Sequence, residues 1–561
     1  MTHRPIPVLR PCPRVKSIAN NLHRSYPTGR QEFSRAYCGS AIELSIFTTD
    51  QFPAGVRASL MTTLNAERPG EWIEIPFERS DEKTFACRVV PGRPGLYSYW
   101  ARFSLDGGAT WIHDPVPDAW VLVDPPQVDQ LRLYTMIPNV SGTIADWSAE
   151  LPRIKAMGFN AVHLLPLTTL DTSRSPYAAR DLFDVDSSYL DAGSAKTGLE
   201  QLEEFIETAR TLEMRLCFDL VLNHVGSESK IVKQAPEWIV PDHSSPDGLR
   251  RARYWSDKGW LPWNDLVLID YEHPSQRIRA DIWAYMTEYA LFWAKYASET
   301  GGFVRFDNLH SSDKKFLDSV TKILHDEYPN VAIIAEYFTD ASTLLNTVPA
   351  WGLNLILATP WDNRFVPQLR DYLRYIHSIG EHVRFYMPIT SHDSGSPAQE
   401  FGAIESTVPR YVAAALLGTG ATGITQGVEW GDKQRINFIG IQPKMIRTGE
   451  PMFGDFLKKV NEILVAEPAF RRGENCQFVD NNHHAVIAAF RRDSRPGKIG
   501  FLVICNFDIL NEHAFEADLS KIPGMRSTGR CVDLLTGKDY SITAAKVSLT
   551  LKVCAAHVLV F

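Results

Sequence analysis

The sequence predicts an α/β protein: a (β/α)8 TIM barrel with a smaller β-sandwich before it and another after it. Three observations carry this expectation. Between about residues 130 and 450, strand-sized apolar runs alternate with helix-spaced segments. Such alternation builds parallel strands, and about 250 residues are enough to close them into a barrel. On either side the pattern changes to short alternating segments separated by turn residues. Inside the alternating region, four apolar runs end in acidic, histidine or asparagine residues, at the strand ends where a barrel's active site lies.

Taken in order, residues 1–39 are rich in proline, arginine and serine and read as an irregular arm. Ala41–Phe47 and Gly95–Phe103 alternate polar with apolar residues, and Asp106-Gly107-Gly108 marks a turn, so 40–126 is expected to be an antiparallel sandwich. Pro125-Pro126 forms the hinge into the barrel, 127–454. Leu131–Ile137 is its first strand candidate, Trp147–Met157 a helix and Asn160–Leu165 the second strand. Thr197-Gly198-Leu199-Glu200 fits a capping box. Leu199, Leu202, Phe205, Ile206, Ala209 and Leu212 then line one helical stripe. Leu216–Leu222 and Phe303–Phe306 read as strands, Ile278–Ala297 as a long helix, and Phe316, Val320, Ile323 and Leu324 as a further helix before strand Val331–Ala335. Residues 225–276 are too many for an ordinary loop and form an expected inserted subdomain. From 455 to 561 the strand-and-turn pattern returns, the second sandwich.

Composition narrows the function. Of 561 residues, 44% are apolar and 22% charged, ample for buried cores. A net charge of −8 opposes a nucleic-acid footprint. Eight scattered cysteines without a C-x-x-C pair read as buried free thiols of a reducing, cytoplasmic setting. No secretion signal and no run of about 18 apolar residues is evident, so no membrane is expected.

The chemistry follows from the four strand ends. They are Cys217-Phe218-Asp219-Leu220-Val221-Leu222-Asn223-His224, Gly302-Phe303-Val304-Arg305-Phe306-Asp307, Ile333-Ile334-Ala335-Glu336 and Ile389-Thr390-Ser391-His392-Asp393. Arg305 and Asp307 are two apart and share one side of their strand. Around one cavity these ends present carboxylates with charged partners, as two-carboxylate glycosyl transfer requires. A guanidinium beside Asp307 suits an ionised nucleophile. Glu336, flanked by Ile334 and Ala335, suits a general acid raised by desolvation, and Asp393 with His392 suits stabilisation of the sugar's developing charge. Any single His here is more often structural; it is the ordered set that points to a site. Trp255, Trp260 and Trp263 crowd the insert, where packing and sugar stacking are equally good explanations. Asn223 lacks nearby acidic partners, so no metal is expected.

These segments resemble the four conserved regions of the α-amylase superfamily, glycoside hydrolase family 13. The intervals of 88, 29 and 57 residues between Asp219, Asp307, Glu336 and Asp393 agree. Gly158–Pro166 resembles the family's second strand and Gly427–Gly431 its eighth. The resemblance implies Asp307 as nucleophile, Glu336 as acid/base and Asp393 as transition-state stabiliser. Tyr177, Asp219, His224, Arg305 and His392 would then line the subsite of cleavage, with no cofactor. It also implies an immunoglobulin-like N-terminal module. Leu133–Pro138, Pro166–Leu170 with Ser173–Tyr177, Arg305–Ser311 and Ala335–Thr339 are similar to the glucanotransferase half of eukaryotic-type glycogen debranching enzymes. That likeness implies 4-α-glucanotransfer on α-1,4-glucans or maltooligosaccharides. Amylase-type hydrolysis, maltosyl transfer from maltose 1-phosphate and non-catalytic glucan binding are the alternatives.

Overall fold

A computed structural model describes residues 22–25, 33–48, 51–113, 119–256, 258–473, 475–481 and 483–561. Eight parallel strands close a barrel: β1 Arg132–Met136, β2 Ala161–Leu164, β3 Arg215–Val221, β4 Phe303–Asp307, β5 Ala332–Ala335, β6 Leu355–Leu357, β7 Phe385–Pro388 and β8 Ala421–Thr425. Neighbours in the barrel follow chain order, and β1 pairs with β8 to complete the ring. Helices alternate with the strands: α1 Ile144–Ala156, α2 Gly198–Thr211, α3 Gln276–Ser298, α4 Lys314–Glu327, α5 Ala341–Trp351, α6 Val366–Ile379 and α7 Thr407–Leu416. The strands are buried along nearly their whole length, which is why they read as continuous apolar runs rather than alternating ones.

Local chemistry sets several of these boundaries. Both halves of the expected capping box form at α2. The Thr197 hydroxyl accepts from the Glu200 N–H, and the Glu200 carboxylate accepts from the Thr197 N–H at 2.7 Å. The helix then buries Leu202, Phe205, Ile206 and Ala209. Gly302 precedes β4 because the backbones crowd there: a Cβ would stand 2.0 Å from the Leu216 carbonyl oxygen.

The insert after β3 is a three-stranded antiparallel sheet in which Gly259–Leu268 lies between His224–Gly226 and Arg251–Ser256. A short hairpin, Thr168–Leu170 with Ala179–Val185, follows β2, where the sequence reading assigned no strands. Past the barrel, a helix α8, Gly454–Ala466, comes first, in a segment expected to begin with strands. Eight antiparallel strands follow, from Cys476–Phe478 to Ala556–Val560, in one sheet. Phe490, Ile504, Phe515, Val547 and Leu559, from both halves of that sheet, share one core, so it folds over on itself. Arg491 is fully buried and donates to the Gly418 carbonyl just ahead of β8 and to the Ala469 carbonyl just after α8, tying this sheet to both.

The described residues up to Pro126 form a separate compact unit together with 321–332 and 341–354. A four-stranded sheet containing Ile42–Thr48 and Thr84–Val89 and a six-stranded sheet containing Arg57–Thr62, Gly95–Ser104 and Ala119–Asp124 enclose Ile46, Leu60, Phe85, Phe103 and Val121. Part of the presumed arm is ordered: Leu22–Ser25 and Phe33–Tyr37 are strands of these sheets, and the rest of 1–32 lies outside the described residues. Arg35 pairs with the enclosed carboxylate of Asp124 at 2.6 Å, which holds its strand in parallel register with Ala119–Asp124. The seven described cysteines are free thiols. Among the described residues, no helix is long and apolar enough to cross a membrane.

Candidate active site

Strand β4 sets the centre. Arg305 and Asp307 face the same way, and the Arg305 guanidinium gathers three carboxylates. Its Nη1 lies 2.6 Å from Asp219 Oδ2, on β3, and 3.1 Å from Asp307 Oδ1; its Nη2 lies 2.8 Å from Glu336 Oε2. One planar cation thus makes Asp307 and Glu336 neighbours, which charge-assisted hydrogen bonds hold in a defined orientation.

The turn after β4 orients Glu336. Asn308 sits in the left-handed region at φ 47°, a conformation asparagine tolerates better than most residues. Its N–H then donates to Glu336 Oε2 at 2.8 Å. The Leu309 N–H donates to the Glu336 carbonyl and the Glu336 N–H to the Phe306 carbonyl, so the ends of β4 and β5 are laced together just where the two carboxylates project.

Asp219 is the buried anchor of the cluster. Its carboxylate accepts from Arg305, from His163 Nε2 at 3.1 Å and from the Tyr177 hydroxyl at 2.9 Å, and none of it is exposed. Asp219 therefore faces its protein partners. The Thr135 hydroxyl sits 3.2 Å from His163 Nδ1, and donation there fixes the tautomer that gives its other N–H to Asp219. Tyr177 lies in the short hairpin after β2, stacked on the His392 ring at 5.6 Å and 7°, its hydroxyl 2.6 Å from His392 Nε2. His392 Nε2 is also 3.1 Å from Asp393 Oδ2, and Asp393 is the open member of the set, its side chain 58% exposed. His224 is buried at the start of the insert, its ring beside the Tyr177 backbone. A pocket at this barrel mouth is lined by His163, Arg305, Glu336, Tyr386, His392 and Asp393, among others.

Electrostatics separate the carboxyls. Burial pushes the Asp307 carboxyl well above the usual range, and the adjacent Glu336 charge adds to this against the pull of Arg305. The sequence reading expected the guanidinium two residues away to keep Asp307 ionised; in the structure burial outweighs that pull, because the side chain is 11% exposed and shares its guanidinium with two other anions. Burial also works against ionisation of Asp219, but Arg305 and His163 outweigh it and hold that carboxyl well below its ordinary value. Asp393 is likewise lowered: His392, Arg305 and Arg435 outweigh the partial desolvation of its place at the pocket mouth. Burial lowers His224 to about 4 and also lowers His163, so both are neutral at pH 7.

All eight residues singled out in the sequence thus lie at this end of the barrel, seven of them linked by the hydrogen bonds, ion pairs and ring contact above. The sequence reading missed His163, and also Phe438, whose ring packs edge-on against both Tyr177 and His392. His163 had a faint signal, a lone imidazole inside the apolar run Ala161–Leu164. Phe438 had none, since it sits in an irregular stretch. Among the described residues, no cluster of three or more His, Cys, Asp or Glu could hold a metal ion.

A closed parallel barrel thus carries this guanidinium–carboxylate cluster at its strand ends. Residues 125–252 match the family model of the glycogen debranching enzyme glucanotransferase domain. The chain is 27% identical over 246 residues to an α-1,4-glucan:maltose-1-phosphate maltosyltransferase of Rhodospirillum rubrum, covering 40% of this chain and 33% of that protein. It is 22% identical over 415 residues to the enzyme of that name from Salinibacter ruber, covering 66% and 58%. The chain thus spans from a third to under two thirds of these relatives. Among solved structures it resembles a maltogenic α-amylase of Thermotoga neapolitana, TM-score 0.61 at 17% identity over 77% of this chain and 98% of that one. A Nostoc punctiforme debranching enzyme gives 0.58 at 14%, over 78% and 99%. The chain is therefore similar to the α-amylase superfamily, glycoside hydrolase family 13, and in its first barrel strands to the glucanotransferase part of glycogen debranching enzymes.

Proposed function

We propose that this chain is a retaining α-glucan-active enzyme that cleaves α-1,4-glucosidic bonds and passes the released segment to another glucan, a 4-α-glucanotransferase. The observation that carries this reading is Arg305, whose one guanidinium holds Asp219, Asp307 and Glu336 together. In the proposed first step, Asp307 forms a bond to the anomeric carbon while the glycosidic C–O bond breaks, and Glu336 gives its proton to the departing oxygen. In the second, a sugar hydroxyl gives its proton to Glu336 as its oxygen displaces Asp307. Tyr177 supplies the platform beneath the sugar, and Asp393 and His392 hold its hydroxyls as positive charge develops. The neutral imidazole of His224 suits further sugar hydroxyls, since it can both give and accept a hydrogen bond. We propose that the sheets before and after the barrel in the chain are sandwich modules, the N-terminal one immunoglobulin-like and structural rather than glucan-binding, and that the enzyme works in the cytoplasm.

Incubation with a single maltooligosaccharide tests this. Transfer yields a ladder of longer and shorter products, whereas rising reducing ends with only shorter products means hydrolysis. The names of the curated relatives favour one second reading, maltosyl transfer from maltose 1-phosphate. Elongation that requires that donor and releases phosphate would replace the first reading with it.

A further inference from the structure

We propose that the hairpin of Arg251–Ser256 and Gly259–Leu268 carries a second α-glucan contact, a two-ring platform made by Tyr254 and Trp263. The inference rests on the glucan-active reading and adds to it where a long chain is held.

Cross-strand register sets the pair. Tyr254 lies opposite Leu261, and Trp263 is two residues further along the same strand, so both rings share a face of the hairpin. Their centroids are 4.4 Å apart with planes at 38°, a continuous, slightly bent apolar surface. That surface is not core: Tyr254 is 36% and Trp263 42% exposed. Large aromatics held rigidly at the surface are costly to leave wet, and adjoining ones mark binding faces. The C–H face of a pyranose ring matches such a surface, while its hydroxyls remain free to meet water.

Position argues for an α-glucan as the occupant. The hairpin is continuous with the active site, because Leu268 pairs with His224 and Leu266 with Gly226. Trp263 is five residues beyond Leu268, about 17 Å along the strand at roughly 3.3 Å per residue. That reach is too far for the sugar being cut and fits a sugar several units away on the same chain. The platform would thus favour long chains through binding and leave the chemical step alone.

The test uses the full chain with Trp263→Ala, Tyr254→Ala and the conservative Trp263→Phe, assayed on maltotriose and on long amylose, with affinity electrophoresis in glycogen gels. We expect KM for amylose to rise about five- to ten-fold in each alanine variant, as loss of one aromatic contact implies. Here kcat is unchanged, maltotriose kinetics stay within two-fold, gel retardation weakens, and phenylalanine restores most of it. Equal losses on both substrates, or none on either with retardation intact, would overturn the platform. So would a change of oligomeric state with glucan affinity intact, which would make this face a contact between copies. If the wild type turns over neither substrate, the enzymatic reading fails, and gel retardation alone decides the platform.

Discussion

Arg305 meets three carboxylates with one charge, so the cluster is short of positive charge and one of its carboxyls is costly to ionise. Burial and the Glu336 charge put that strain on Asp307. A carboxyl raised in the fold takes up its proton more readily there than in the unfolded chain. Its contribution to stability is complete below the ordinary value of 3.8 and is lost as pH rises through the folded value. Asp307→Asn should therefore melt higher than the wild type at pH 7, by a margin that closes towards pH 4, while glucan turnover falls at least about 10³-fold. A variant that melts lower at pH 7, or keeps its rate, would contradict this. Tyr177→Phe removes the hydroxyl between Asp219 and His392 and leaves two buried groups short of a partner. Turnover of maltooligosaccharide should drop about ten- to hundred-fold, consistent with 1–3 kcal/mol per lost buried hydrogen bond.

At the level of elements, the site depends on how closely β3 and β4 approach. Gly302→Ala would drive a methyl into the Leu216 carbonyl and part the strands carrying Asp219 and Arg305. Such overpacking costs about 1–3 kcal/mol, so chemical denaturation should show an earlier midpoint and turnover should fall with it. The strand ends could be read from the sequence because barrel strands, buried on both faces, leave unbroken apolar runs, and the polar residue that ends each run is conspicuous. Arg305 and Asp307 could be placed on one face by the two-residue period alone. The hairpin carrying Tyr177 could not be seen, since its strand Thr168–Leu170 is three residues long and shows bulges. His163 was hidden for another reason: a lone imidazole in a strand is usually structural, and only the fold brings Asp219 to 3.1 Å from it. Phe33–Tyr37 escaped notice because what makes it a strand is a partner 89 residues away, Asp124 beside Arg35.

For the whole molecule, the barrel supplies rigid strand ends, and the loops between them decide what those ends do. Hydrolysis and transfer share the first step, so the fold fixes the carboxylates without choosing between water and sugar as the second partner. The common claim beneath both is a covalent intermediate on β4. Incubation with a fluorinated maltosyl fluoride, which slows release of the sugar from the enzyme, followed by digestion and mass spectrometry, tests it most directly. The account predicts one maltosyl unit on the peptide holding Asp307 and none on Asp307→Asn. A sugar attached elsewhere, or full turnover with inverted anomeric configuration and no adduct, would contradict it.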